Sequence, residues 1–151
     1  MNDRDLQRME EATTILIGNL QHIHTVSDWA ERLGYNSVTK FTRQFKHYSG
    51  LTPGRVIRYI RLVCIMELIA YDPDLTGYEI ALKVGLADEK ALYDFLTNHN
   101  NSTLSQLKKT ITSTEKWDFN RVKYRSKRSG NPCKQLISAY LERSYCEILT
   151  C

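Results

Sequence analysis

Residues 35–50 read YNSVTKFTRQFKHYSG, and residues 86–101 read LADEKALYDFLTNHNN. In the first stretch Val38, Phe41, Phe45 and Tyr48 recur at steps of three and four, which places them on one stripe of a helix. Lys40, Arg43, Lys46 and His47 point away from that stripe. In the second stretch Leu92 and Leu96 fall 51 positions after Phe41 and Phe45, and Asp94 stands where Arg43 stood. One helix is written twice, with the charge on its open face reversed.

The same offset extends outward without a gap. Asp28 falls on Glu79, Trp29 on Ile80, Ala30 on Ala81, Leu33 on Val84, Gly34 on Gly85, Ser37 on Asp88 and Thr52 on Thr103. Each pairing keeps a physical role. A first helix over Ser27 to Leu33 takes Thr25 or Ser27 as its N-cap. Ala30 is small enough for a second helix to cross closely, and Gly34 can adopt the left-handed conformation that ends a helix. Ser37 caps the second helix, whose stripe Val38–Phe41–Phe45 is expected to pack on Trp29 and Leu33. Helix, short glycine turn, helix is the motif whose second member enters a DNA major groove. A plain helical pair in an all-α bundle is the other reading of a single copy, and two copies in register favour the first.

Between the copies, PGRVIRYIRLVCIMELIAYDPD predicts a linker helix. Pro53 suits a first turn. Val56, Ile60, Val63, Met66 or Glu67, and Ala70 supply the period, and Asp72-Pro73 ends it. About 17 residues at about 1.5 Å each make a rod of roughly 25 Å. Apolar residues run nearly all round it after Ile60, so burial between two subdomains is expected.

Composition excludes several classes. The chain has 151 residues, 42% apolar and 25% charged, which suits a globular domain with tails. The start MNDRDLQRMEE carries no apolar signal core, and the run LVCIMELIAY is too short to span a membrane, so a cytoplasmic protein is expected. Cys64, Cys133, Cys146 and Cys151 form no C-x-x-C pair and have no histidine at finger spacing; Cys64 reads as a small core residue. His22 and His24 are two apart and face different ways on a helix. There is no phosphate-binding glycine loop, no G-x-S-x-G elbow and no suggestive carboxylate pair, so neither catalysis, metal nor cofactor is expected.

Net charge is +4, and its distribution is uneven. Residues 1–24 carry −2, 25–63 carry +5, 64–105 carry −5, 106–128 carry +6 and 129–151 carry zero. Two basic blocks around an acidic one are the footprint of a phosphate-backbone binder or, more blandly, a solvated surface.

The pattern A-x-x-x-G-Y, F-T-R-Q-F-K, G-L-T-P, R-Y-I-R-L and I-A-L-K-V-G-L resembles the AraC family of bacterial transcription regulators, from Thr25 to about Lys109. The resemblance implies an all-α fold in which two helix-turn-helix subdomains are joined by a long central helix and bind successive major grooves. It divides the chain into 1–63 (N-terminal helix, first motif, start of the linker), 64–109 (rest of the linker, second motif) and 110–151 (basic tail and terminal helix). It places the first recognition helix at Ser37 to Tyr48, with Val38, Thr39, Lys40 and Arg43 at bases and Gln44, Lys46 and His47 nearer phosphates; Lys90 and Asp94 face DNA from the second. The second copy departs from the pattern. Leu86 replaces an aromatic, Asp94 an arginine, His99-Asn100-Asn101 an aromatic–glycine ending, and Leu104 a proline.

At the ends, Leu6, Met9, Leu16, Leu20 and Ile23 have helical spacing and match the family's first helix. No effector domain is expected before it, which implies a stand-alone regulator. In residues 110–130, Arg121, Lys123, Arg125, Lys127 and Arg128 interleave with Trp117, Phe119 and Tyr124, a pattern open to DNA contact, a solvated linker or a protein contact. Asn131-Pro132 opens a last helix with Ile137, Leu141, Tyr145 and Ile148 on one face, suited to docking on its own domain or to a homodimer. Two functions are therefore carried forward. One is sequence-specific binding of double-stranded DNA by a transcription regulator, with RNA polymerase or a partner regulator as protein partner. The other is a protein-interaction module, an inhibitor or co-regulator of a related activator, that has lost DNA reading in its second motif.

Overall fold

Two threonines 51 positions apart, Thr25 and Thr76, begin equivalent helices, and the chain around them is all-α. The computed structural model describes residues 1–112. These form α1 (Asp3–Gly18), a 3-10 turn (Leu20–His22), α2 (Val26–Arg32), α3 (Val38–Ser49), α4 (Pro53–Tyr71), α5 (Gly77–Lys83), α6 (Glu89–Asn100) and α7 (Leu104–Thr112), with no strand among the described residues. The basic tail and the terminal helix expected beyond residue 112 lie outside them.

The boundaries repeat because the local chemistry repeats. Thr25 Oγ1 accepts from the Asp28 amide at 3.2 Å, and the Asp28 carboxylate accepts from the amides of Thr25 at 3.1 Å and His24 at 3.0 Å. Thr76 and Glu79 close the same box at 3.2 and 2.8 Å. Each box satisfies amides that a helix start leaves without an internal partner. The N-cap of α2 is thus Thr25 and not Ser27. The amide of His24, helped by Thr25, holds the Asp28 carboxyl below the usual carboxylate range. Ser37 caps α3 through the Lys40 amide (3.2 Å), and Asp88 caps α6 through the Ala91 amide (2.8 Å). Gly50 ends α3 at φ 80°, and Asn101 ends α6 in the same left-handed region at φ 51°. Asparagine tolerates that region better than most residues, so the helix end survives the loss of glycine.

The first pair is held by aromatic packing. Trp29 is buried, with Phe41 and Phe45 edge-on to it at ring-centre distances of 5.2 and 4.9 Å, and its indole N–H donates to the Ala12 carbonyl at 2.9 Å. Such offset contacts suit the ring quadrupoles, and the buried N–H finds an acceptor. The buried stripe is narrower than its period suggested. Val38 (41% exposed) and Tyr48 (42%) stand outside the core, as does Leu6 (41%). The reason is geometric. Phe41 and Phe45 are the two α3 rings that meet Trp29, and Val38 and Tyr48 lie three residues beyond them at either end. Residues 6–23 are not one helix either. The Asn19 side chain donates to the Ile15 carbonyl (2.9 Å), and its own amide bonds Ile15 and Leu16, which closes α1 at Gly18.

α4 runs 19 residues and is buried along nearly its whole length, as its apolar circumference required. α7 packs on it. The Cys64 thiol sits inside, where burial pushes its pKa up to about 12, so it behaves as a small core residue. One continuous core joins both helix pairs through α4.

The second pair meets the first at a tight junction. Arg61 of α4 donates through Nε to the Val84 carbonyl (2.8 Å) and through Nη2 to the Ile23 carbonyl (3.0 Å). His24 Nδ1 lies 2.7 Å from the Gly85 carbonyl oxygen. A Cβ on Gly85 would stand 2.3 Å from the Leu20 carbonyl oxygen and 3.0 Å from that of Ile23. Gly34, its counterpart, has the same φ of 81° but would meet only the tip of the Arg8 side chain, at 3.3 Å. Gly34→Ala therefore carries the left-handed penalty alone, about 1–2 kcal/mol. Gly85→Ala adds a backbone collision that no side chain can relieve and is expected to cost more than about 3 kcal/mol. Urea unfolding of both variants checks this; equal losses would show that the junction is not rigid.

Candidate nucleic-acid interface

α3 has one face sealed by Trp29, Phe41 and Phe45, so the opposite face is fixed in direction. On it Thr39, Lys40, Arg43, Lys46 and His47 are exposed, and Ser37 and Val38 stand exposed at its start. Among the described residues no side chain bonds to Arg43, and the nearby charged partner goes to Lys40 instead. The structure thus brings together Ser37, Val38, Thr39, Lys40, Arg43, Lys46 and His47 on one surface.

Gln44 does not belong to that surface. It is half-buried, accepts from the Tyr35 hydroxyl at 2.5 Å and donates to Asp5 Oδ2 at 3.0 Å. Its amide is engaged within the fold, because α1 passes beside this side of α3. Asp5 is the hub of this network. The Gln44 donor is the largest cause that holds its carboxyl below the usual range, with Lys40 and Arg8 adding attraction. Lys40 Nζ lies 3.8 Å from Asp5 Oδ2, and Arg8 Nη1 lies 3.4 Å from Oδ1. Arg8 also donates to the Gly34 carbonyl (3.1 Å) and covers the Tyr35 ring at 4.8 Å. Lys40 is therefore tethered from below by a carboxylate, unlike Arg43. Sequence reading missed Asp5 and Arg8, since their partners Gln44 and Gly34 lie 39 and 26 residues away, respectively. One signal existed. At an offset of 53, Arg8 falls on Arg61, two more than the main repeat because the link between α4 and α5 is two residues shorter than that between α1 and α2.

α6 presents a different surface on the same scaffold. Lys90, Tyr93, Asp94, Thr97 and Asn98 are exposed where α3 has Thr39, Thr42, Arg43, Lys46 and His47. Glu89 leans back over Gly77, where a Cβ would stand 2.8 Å from its Oε1, and that oxygen accepts from the Tyr93 hydroxyl at 2.8 Å. This bond raises the Tyr93 pKa. Asp94 is left exposed beside Lys90. No group of metal-ligating side chains occurs among the described residues, and no described helix is long and apolar enough to cross a membrane.

Comparison of the chain with models of protein families, with curated proteins and with solved structures gave no match.

His99 lies near the end of α6, half-buried against Phe95 at a ring distance of 4.8 Å. Burial, then repulsion by Arg58 and Arg61, holds its pKa below the ordinary imidazole value. The unfolded chain thus binds the proton more readily than the folded one. Stability is full above the unfolded value near 6.5 and is lost as pH falls from there through the lower folded value. His99→Gln should flatten this part of the stability–pH curve, measured by urea unfolding. A curve for His99→Gln parallel to that of the wild type would show that another group titrates.

Proposed function

We propose that this chain is a sequence-specific binder of double-stranded DNA that acts in transcription regulation, in the manner its resemblance to the AraC family implies. In this reading α2–α3 and α5–α6 are two helix-turn-helix units joined by α4, and α3 is the main reading helix. One observation carries it: the outward row of α3, with Arg43 unengaged and Lys46 and His47 beside it, on a helix whose other side is locked into an aromatic core. That arrangement offers a preorganised donor fork for a guanine edge and flanking cations for phosphate. RNA polymerase or a partner regulator is the protein partner this reading entails, and a cytoplasmic, nucleoid-associated location follows from it.

A second reading has its own support. α6 replaces each cation of α3 with a neutral or acidic side chain, and Tyr78, Leu82 and Tyr93 are exposed around it. Such a surface suits a protein partner, and in that case the chain is an interaction module. Selection of bound sites from random duplex DNA separates the two. A defined motif supports the regulator; weak, uniform recovery supports the module.

Arg43→Ala is expected to relax preference at one base position, a loss of about 1–3 kcal/mol of discrimination. Lys46→Ala should weaken all sequences alike and reduce the slope of log K against log salt by about one. A non-selective effect of Arg43→Ala in binding to a panel of duplexes would remove it from the readers.

Asp94 decides the role of α6. A carboxylate near phosphate is repelled by a few kcal/mol at about 4–6 Å before screening, but it can also accept from the cytosine amino group. Asp94→Ala is expected to tighten binding to every duplex. Weaker binding confined to the preferred site would instead make α6 a second reader.

A further inference from the structure

The outward side of α5 carries Tyr78 (54% exposed) and Leu82 (44%), one helical turn apart, and Tyr93 (43%) is exposed on α6. Single exposed apolar side chains are ordinary, whereas several together mark a surface that another group covers. The 51-residue repeat supplies a control inside the same molecule. The first half has Ser27, Glu31 and Thr42 at these three positions. The helix pair is the same, so its own packing requires none of the three larger side chains. Tyr93 is also held in place. Its hydroxyl donates to Glu89 Oε1 (2.8 Å), and Glu89 lies over Gly77, where a Cβ would stand 2.8 Å from the same oxygen. Gly77 stands where the first half has Val26, and the room this leaves is occupied by Glu89. The Tyr93 hydroxyl is thereby brought to the start of α5, where Tyr78 follows Gly77.

The surround of this patch is acidic. Residues 72–94 hold six acids and two lysines, whereas the aligned residues 21–43 hold two acids and three lysines or arginines. An occupant that fits brings aromatic or apolar groups interleaved with cations. The chain carries such a segment. Residues 116–128 hold six lysines and arginines and one acid, with Trp117, Phe119 and Tyr124 among them. Its point of attachment is near. Lys108 of α7 donates to the Leu75 carbonyl (2.7 Å), one residue before the Thr76 cap of α5, and the described chain ends one helical turn later at Thr112. The twelve residues from Thr112 to Tyr124 span up to about 40 Å when extended, against about 18 Å for the length of α6. Attachment there gives the segment an effective concentration on the order of millimolar, so a contact too weak to capture a free partner is populated within the chain.

We propose that the face formed by Tyr78, Leu82 and Tyr93, with its acidic surround, is the docking site of the chain's own segment 116–128. The aromatic side chains of the segment cover the patch, and its cations face the carboxylates around it. The docking stands whether or not α3 reads DNA. In a chain that does bind DNA, the docked segment covers α6 and leaves α3 as the reading helix.

The test uses the isotope-labelled full-length chain. Trp117→Ser combined with Phe119→Ser should shift the amide resonances of Tyr78, Leu82, Tyr93 and Asp94 and leave those of Thr39 to Arg43 in place. The converse variant, Tyr78→Ser combined with Leu82→Glu, gives α5 the residues that α2 carries, so the helix pair is kept. It should move the indole N–H resonance of Trp117 and not that of Trp29. Raising sodium chloride from about 50 to about 500 mM should move both sets toward their positions in the variants, because exposed charge pairs are screened. None of these shifts should depend on protein concentration. Shifts that grow with concentration, with contacts between labelled and unlabelled copies, would give the face to a second copy and overturn docking within one chain. Shifts from the Trp117 and Phe119 substitutions that fall on α1 or α3 would overturn the site. No shift in either set, in a chain whose Trp29 resonance is unchanged, would overturn the proposal as a whole.

Discussion

Arg61 reaches two carbonyls that belong to different halves of the chain, Ile23 before α2 and Val84 at the end of α5. It is buried, and burial makes its charged form harder to keep. The guanidinium fork suits this place because it can donate in two directions from a fixed plane. Each carbonyl would otherwise stand in the core without water, at about 1–3 kcal/mol apiece. The placement of α5 and α6 relative to α2 and α3 depends on that bridge and on the close approach of Gly85 to Leu20 beside it. The junction adds directional bonds to the continuous core that joins the two helix pairs through α4.

The two halves use the same device in different settings. Arg8 of α1 holds the Gly34 carbonyl at the first turn as Arg61 of α4 holds Val84 at the second. The first is near the surface, in a network with Asp5, Tyr35 and Gln44. The second is sealed between halves. A surface network can accept substitutions around it with modest cost, whereas a buried one restricts every neighbour. The second half has the same turn, while Asp94, Thr97 and Asn98 stand where α3 carries Arg43, Lys46 and His47. Outward positions make no packing demand, so their identity answers to whatever they face.

The open helix start at α4 links the two themes. α2, α5 and α7 end their first turns with a reciprocal cap; α4 does not. Local stability alone favours the closed form by about a kcal/mol, so the arginine at position 55 is a departure from the helix's own interest. Departures of that kind concentrate where a surface serves something beyond folding.

How much of this was legible beforehand follows from the range of each interaction. The helices, their caps, the glycine turns and the 51-residue repeat are properties of short windows: a threonine and an acid three apart, or two aromatics four apart. These are visible in order along the chain, and the sequence by itself determined them, together with the charge contrast between α3 and α6. The width of the buried stripe was not visible, because periodicity says which residues share a face and not how far the opposing surface extends. Hence Val38, expected to pack on Trp29 and Leu33, stands outside the core, as does Tyr48 on the same stripe. Nor could the sequence show that Gln44, expected nearer phosphates, is bound to Tyr35 and to Asp5, 39 residues away. Only the tertiary structure decided which polar groups on α3 are spent inside the fold and which remain for a partner. Such pairings join residues tens of positions apart, and only packing brings them within hydrogen-bond reach.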